Sequence, residues 1–168
     1  MARNILAYLF GCSIFFIAIP AIILYIAVLS PYTFMPEGKT AVIFGSISSA
    51  VGLLFMIWSN KELIEKGHGG AVVIGPIKLS KETIKLVTTG PYSMCRNPMH
   101  MGAFLFYLGL CCAVNSLLTL VVPFGFLLFA YCFAVFLDEP RLKRDFPEDY
   151  EKWIQDVPQR FWPKPKKG

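Results

Sequence analysis

Four apolar runs organise the chain, with one long polar stretch between the second and third and another after the fourth. The first run, residues 5–29, is long enough to cross about 30 Å of hydrocarbon with some tilt. It is too long for a signal-peptide core, and no small-residue cleavage pattern follows it, so it is predicted as a helix of the mature protein. Pro20 inside it predicts a kink that frees the carbonyl of Phe16. Pro31, Pro36 and Gly38 then predict a short turn. The second run, residues 41–59, carries Gly45, Ser48, Ser49 and Gly52 on one helical face, a structural surface where another helix can approach closely. The third run, residues 98–114, is at the short end for a span; the fourth, residues 117–137, is of ordinary length. Asn115-Ser116 predicts a tight hairpin between them, and Pro123 a bend in the fourth. The expected fold class is all-α: one domain, residues 1–168, built as a polytopic bundle of four transmembrane helices.

The two polar stretches are different in kind. Residues 60–97 are too long for a simple connection and too polar to cross a membrane, which leaves a functional loop or a lid. Gly67-His68-Gly69-Gly70 predicts a flexible start with His68 exposed, and the β-branched stretch 84–88 predicts packing on the bundle or over a ligand. In the tail, residues 138–168, Leu142, Phe146, Tyr150 and Trp153 recur at spacings of four, four and three, one face of a helix broken at Pro147. A pair of amphipathic helices lying on the membrane surface satisfies that pattern.

Composition agrees: of 168 residues 55% are hydrophobic and only 16% charged, outside the usual soluble range. The net charge of +5 does not imply nucleic acid, because the basic residues flank apolar runs. Arg3, the six Lys and Arg between Asn60 and Asn97 and the eight after Leu137 fall on one side of a four-span topology, with only Lys39 on the other. The bias predicts both termini and the middle segment in the cytoplasm. The five cysteines show no CxxC or Cys/His spacing, so neither a disulfide nor a metal site is expected. Cys95 beside Arg96 could have a lowered thiol pKa and act as a nucleophile, although no general base stands next to it.

Candidate chemistry centres on residues 90–102. Pro98 suits the first turn of a helix and Asn97 suits its N-cap. The free N–H groups and positive dipole end of that helix favour a carboxylate or phosphate, and Arg96 adds a full charge. Equally, Asn-Pro could simply cap a membrane helix with Arg96 at the headgroups. Asp138 and Glu139 stand where the fourth run ends, placed either to hold a cation or to pair with Arg141, Lys143 or Arg144. His100, one turn into the third helix, is either packed or a base. GxGxxG, P-loop, HExxH and GxSxG patterns are absent.

Taken in order, Leu86-Val87-x-x-Gly90-Pro91-Tyr92, Arg96-Asn97-Pro98-Met99-His100-x-Gly102, Asp138-Glu139-x-x-Leu142, Phe146-Pro-Glu-Asp-Tyr150-x-x-Trp153 and Val157-Pro-x-Arg160 resemble the isoprenylcysteine carboxyl methyltransferase and phospholipid methyltransferase superfamily. The resemblance covers roughly residues 67–163. It implies an integral membrane enzyme using S-adenosyl-L-methionine at the cytoplasmic face. It further implies that Lys85, Leu86, Val87, Gly90 and Tyr92 line the cofactor. Arg96, Asn97, Pro98, Met99 and His100 would surround its amino-acid end, and Asp138 and Glu139 would help bind it. Arg96 and His100 are the expected catalytic residues. Departures point within the superfamily: Asn97 and His100 replace the His and Tyr of the prenylcysteine-type signature, and Ala134 falls where those enzymes carry a substrate-binding Arg. Asn97-Pro98-Met99 and Glu139-Pro140 are similar to the phosphatidylethanolamine branch. The implied partner is therefore a lipid or amphiphilic acceptor. Methyl transfer from a sulfonium is an in-line displacement, so such a protein mainly holds donor and acceptor in line and excludes water. Two other readings stay open, an NADPH-dependent sterol-reductase-like protein and a non-catalytic membrane scaffold.

Overall fold

The computed structural model describes residues 9, 11–36, 38–68, 73–74, 77–78 and 83–163. The Gly69-Gly70 pair, residues 5–8 of the first run and the lysines at 164, 166 and 167 lie outside them. The helices are α1 (Gly11–Leu29), α2 (Lys39–Gly67), α3 (Pro98–Val114), α4 (Val121–Phe133), α5 (Glu139–Asp145) and α6 (Pro147–Asp156). A 3₁₀ turn, Leu117–Leu120, leads into α4, and a π turn, Ala134–Asp138, joins α4 to α5, making one helical rod of 29 residues. Between α2 and α3 a two-residue ladder pairs β1 (Val73–Ile74) antiparallel with β2 (Ile77–Lys78).

Among the described residues, three helices are long and apolar enough to cross a membrane: Gly11–Leu29, Lys39–Gly67 and Leu117–Asp145. The fourth expected span, α3, has 17 residues, a rise of roughly 25 Å. It is the central helix, with Met101, Ala103, Phe104, Tyr107, Cys111 and Cys112 all buried. Its contacts are chiefly with neighbouring helices, so its length need not match the lipid. The small-residue face of α2 packs on it as expected. A Cβ added at Gly45 would come within 2.6 Å of the Gly109 carbonyl and the Ala113 nitrogen, so only glycine permits this approach. Ser48 and Ser49 donate across the seam to the carbonyls of Leu105 and Phe106 at 3.0 and 3.1 Å.

Several boundaries differ from expectation. The second helix does not stop near Ser59 but runs on to Gly67, capped by His68 in the left-handed region at φ 52°. The polar extension is held by Lys61–Glu65 and Lys66–Glu62 pairs four residues apart, and a helix outside the apolar layer needs no apolar residues. Gly67 is therefore no loose hinge: it is buried against Thr83 and Val87, and its carbonyl accepts from the Ile84 N–H at 2.9 Å. His68 is exposed, as expected.

The turn before Pro20 has a register of its own. Residues Ile14–Ala18 form a π turn in which Ile19 donates to Ile14. In that register the missing proline N–H deprives Phe15, and the Tyr107 hydroxyl donates to the Phe15 carbonyl at 3.1 Å. A carbonyl that lipid cannot satisfy is thus satisfied by α3. Pro123 sits in the first turn of α4, where no intrahelical bond is lost, so no bend is required there. Asn115 ends α3 with φ 50°, and its side chain clamps the preceding turn through the amides of Phe34 and Met35 and the carbonyl of Met35. The break at Pro147 falls where predicted.

Candidate active site

The Gly90 loop, the start of α3, the α4–α5 junction and the segment after α6 converge at one end of the bundle. Gly90 takes φ +59° and opens a 3₁₀ turn, Gly90–Ser93. A Cβ there would meet the Glu62 side chain at 2.8 Å, and Glu62 itself accepts from Thr89 and Lys66. Val87 and Tyr92 enter an apolar cluster with Tyr150, Trp153 and Val157, so the amphipathic face of the tail packs onto this loop rather than onto a bilayer surface alone. Trp153 Nε1 donates to the Tyr92 carbonyl at 3.0 Å. Burial, with the neighbouring Asp138 carboxylate, raises the Tyr92 phenol above its ordinary value.

Pro98 opens α3 as predicted, but Asn97 caps it by position only, without a side-chain capping bond. The N–H groups of Arg96 and Asn97 donate to the carbonyls of Gln159 and Arg160 at 2.8 and 2.7 Å, so these two amides are not free for a ligand. The first-turn amides of Met99 and His100 have no carbonyl one turn earlier inside the helix.

Arg96 is held inside the protein, only 9% of it exposed. Its Nη1 lies 3.0 Å from Glu139 Oε1 and 3.5 Å from the Tyr150 hydroxyl, while its buried Nε has no partner among the described residues. Glu139 accepts two further bonds from Arg160, at 2.7 and 3.1 Å. Asp138 pairs with Arg141 at 3.2 Å, the local ion pair considered from sequence; Glu139 instead reaches arginines far away in the chain. Arg141 Nε is likewise buried without a partner among the described residues.

The expected site residues therefore divide. Tyr92, Arg96, Asn97, Pro98 and Glu139 are brought together, with Asp138 beside Tyr92. Lys85 is exposed and Leu86 is half-buried against the Val87 cluster. His100 stands between the rings of Phe126 and Phe133, centroids 6.3 and 5.8 Å away. Cys95 is fully buried, and burial pushes its thiol up to about 11, which removes the possibility of a thiol activated by Arg96. Tyr150 and Arg160, which the sequence offered only as parts of a motif, are members of the network. A cleft of about 340 Å³ opens nearby, lined by Thr88, Thr89, Gly90, Ser93, Trp153 and Asp156 among others. A larger cavity, about 400 Å³, lies between residues 29–32 and 117–121 and has no charged lining residue.

A buried arginine–carboxylate network at the exposed end of an apolar helix bundle defines a membrane protein with a polar site at one face. Residues 40–149, more than half of the chain, match the phospholipid methyltransferase family, and the chain belongs to that family of membrane methyltransferases. It is also 33% identical over 82 residues to the nickel-cobalt-cadmium resistance protein NccN of Alcaligenes xylosoxydans xylosoxydans. That match covers 48% of this chain and 38% of the relative, so the chain spans well under two thirds of its length.

Proposed function

We propose that this protein transfers a methyl group from S-adenosyl-L-methionine to a lipid amine, or a similar amphiphile, at the cytoplasmic face of a membrane. The observation that carries the reading is the buried Arg96–Glu139 pair beside the start of α3, with an Arg96 Nε that has no partner among the described residues. An unsatisfied buried guanidinium N–H is costly, and a carboxylate would satisfy it. The residues thus fit the cofactor's amino-acid end: Arg96 and the first-turn amides of Met99 and His100 for its carboxylate, Asp138 and Glu139 for its cationic groups.

When bound, the cofactor supplies an electrophilic methyl group. The chain's own contribution is to orient and to exclude water. Tyr92, Val87 and Trp153 form the dry wall behind Arg96 and Glu139. An amine acceptor must be neutral to attack, and in this reading His100, flanked by the Phe126 and Phe133 rings, would take its proton. An amine is favoured over a prenylated cysteine because Ala134, buried here, stands where the prenylcysteine enzymes carry a carboxylate-binding Arg.

Calorimetry on detergent-purified protein is expected to show binding of S-adenosylmethionine and none of NADPH. Labelled cofactor should pass its methyl group to an aminophospholipid extract, with His100→Ala slowing transfer while leaving cofactor binding in place. Binding of NADPH alone would point to a reductase. Methylation of a farnesyl-cysteine analogue with inert aminolipids would replace the acceptor.

A further inference from the structure

Arg160 uses only one edge of its guanidinium inside the protein. Nε and Nη2 form a fork on the two oxygens of Glu139 at 2.7 and 3.1 Å, whereas Nη1 bonds to nothing among the described residues. The side chain is 37% exposed, so the open edge reaches the surface. That surface is the flank of the rod Leu117–Asp145, where Phe124 and Leu128 are both more than half exposed, as on a lipid-facing helix. The guanidinium carbon lies 5.7 Å over the ring of Tyr131, which is 45% exposed. Two residues beyond Arg160, Trp162 is 56% exposed and packs edge-on against Phe104 with centroids 5.8 Å apart. Between them Phe161 is buried against Ala130 and Ala134 and fixes the backbone. Tyr and Trp in such positions mark the headgroup level of a bilayer.

An arginine edge with free N–H groups, rigidly oriented by a carboxylate and framed by two interfacial aromatics, suits a phosphodiester approached from the membrane. We infer that Arg160 is the headgroup-phosphate contact of the acceptor lipid, and that it positions the acceptor for the site it shares through Glu139 with Arg96. The inference rests on the methyl-transfer reading for its purpose but not for its geometry. An amine two carbons from the bound phosphate would stay near Glu139 and Arg96, whereas an acceptor without a phosphate would lack this anchor.

The full chain, purified in detergent, is titrated with a phosphatidylethanolamine and separately with diacylglycerol of the same chains, and retained lipid is counted by native mass spectrometry. The wild type should retain the phosphodiester lipid at concentrations about tenfold lower, the scale of one charge-assisted hydrogen-bonded contact. Arg160→Gln, if its melting profile shows it folded, should lose that preference. A phosphatidylethanolamine bearing a photo-crosslinker beside the phosphate should label the peptide that carries Arg160 to Trp162; this arm needs no variant. Equal retention of both lipids, an unchanged preference in Arg160→Gln, or labelling confined to other peptides would overturn the assignment. Competition by inorganic phosphate as strong as by the lipid would show a water-facing anion site and overturn it too. Loss of S-adenosylmethionine binding with an intact Arg160-dependent preference would sink the methyltransferase reading and leave this one standing.

Discussion

Glu139 holds two guanidinium groups at once, so the site has one more cationic partner than anionic charge at its centre. Removing one member of a buried pair leaves the other uncompensated, which is why such a cluster is retained by function more readily than by stability. Cys95 shows the opposite case, a buried group that must stay neutral. Its thiol is held near 11 by burial, against an ordinary value of 9.0. Between those values the folded chain keeps a proton that the unfolded chain releases, so the fold loses stability as pH rises from about 9 to about 11. The melting midpoint of the wild type should therefore fall more steeply across that window than that of Cys95→Ala, whereas below pH 8 the difference between the two should stay constant. Parallel profiles would mean the thiol titrates normally. Arg96 and Glu139 were legible in the sequence because ionisable residues at apolar boundaries are expensive. Their pairing was not, because it joins residues 43 positions apart, and nearer arginines at 141 and 144 offered Glu139 a local partner.

Elements were legible where covalent geometry decides. Pro98 and Pro147 start helices because proline loses nothing in a first turn, and the Gly45 to Gly52 face meets α3 because little else could pack so closely. The end of α2 was hidden because polarity marks where an apolar layer stops, not where a helix stops; capping at His68 decides that. The π turn before Pro20 was hidden for a related reason: a one-residue shift of register leaves no trace in periodicity. The packing argument yields a paired test. Gly45→Ala forces a methyl against backbone atoms 2.6 Å away and should cost about 1–3 kcal/mol, as overpacking does. Gly125→Ala in α4 meets nothing within 4 Å and should gain up to about 1 kcal/mol of helix propensity. Melting midpoints in detergent should shift in opposite directions; a common sign would mean that α2 and α3 are not in this contact.

At the scale of the whole molecule, the site and the Asn115 clamp occupy opposite ends of the bundle. The 29-residue helix α2 rises roughly 43 Å, more than the hydrocarbon thickness, and its excess lies toward Gly67, where Lys61–Glu65 and Lys66–Glu62 pairs project. Arg96, Arg141 and Arg160 gather at that same end, whereas Lys39 opens α2 at the other. Basic residues close to the ends of apolar helices are retained in the cytoplasm during insertion, so the Gly67 end and its site are expected to face the cytoplasm, with Lys39 outside. Both chain termini then lie on the cytoplasmic side, provided that the 17-residue α3 crosses with its partners, shielded from lipid by them. Single cysteines substituted at Lys39 and at Lys164, in a background lacking the exposed Cys12 and Cys132, can be labelled with an impermeant maleimide in sealed vesicles of known orientation. The expected result is labelling of the two positions from opposite faces, Lys164→Cys from the cytoplasmic one. Labelling of both from one face would require an even number of crossings after Lys39, and α3 would then be a buried helix that enters the bilayer and returns.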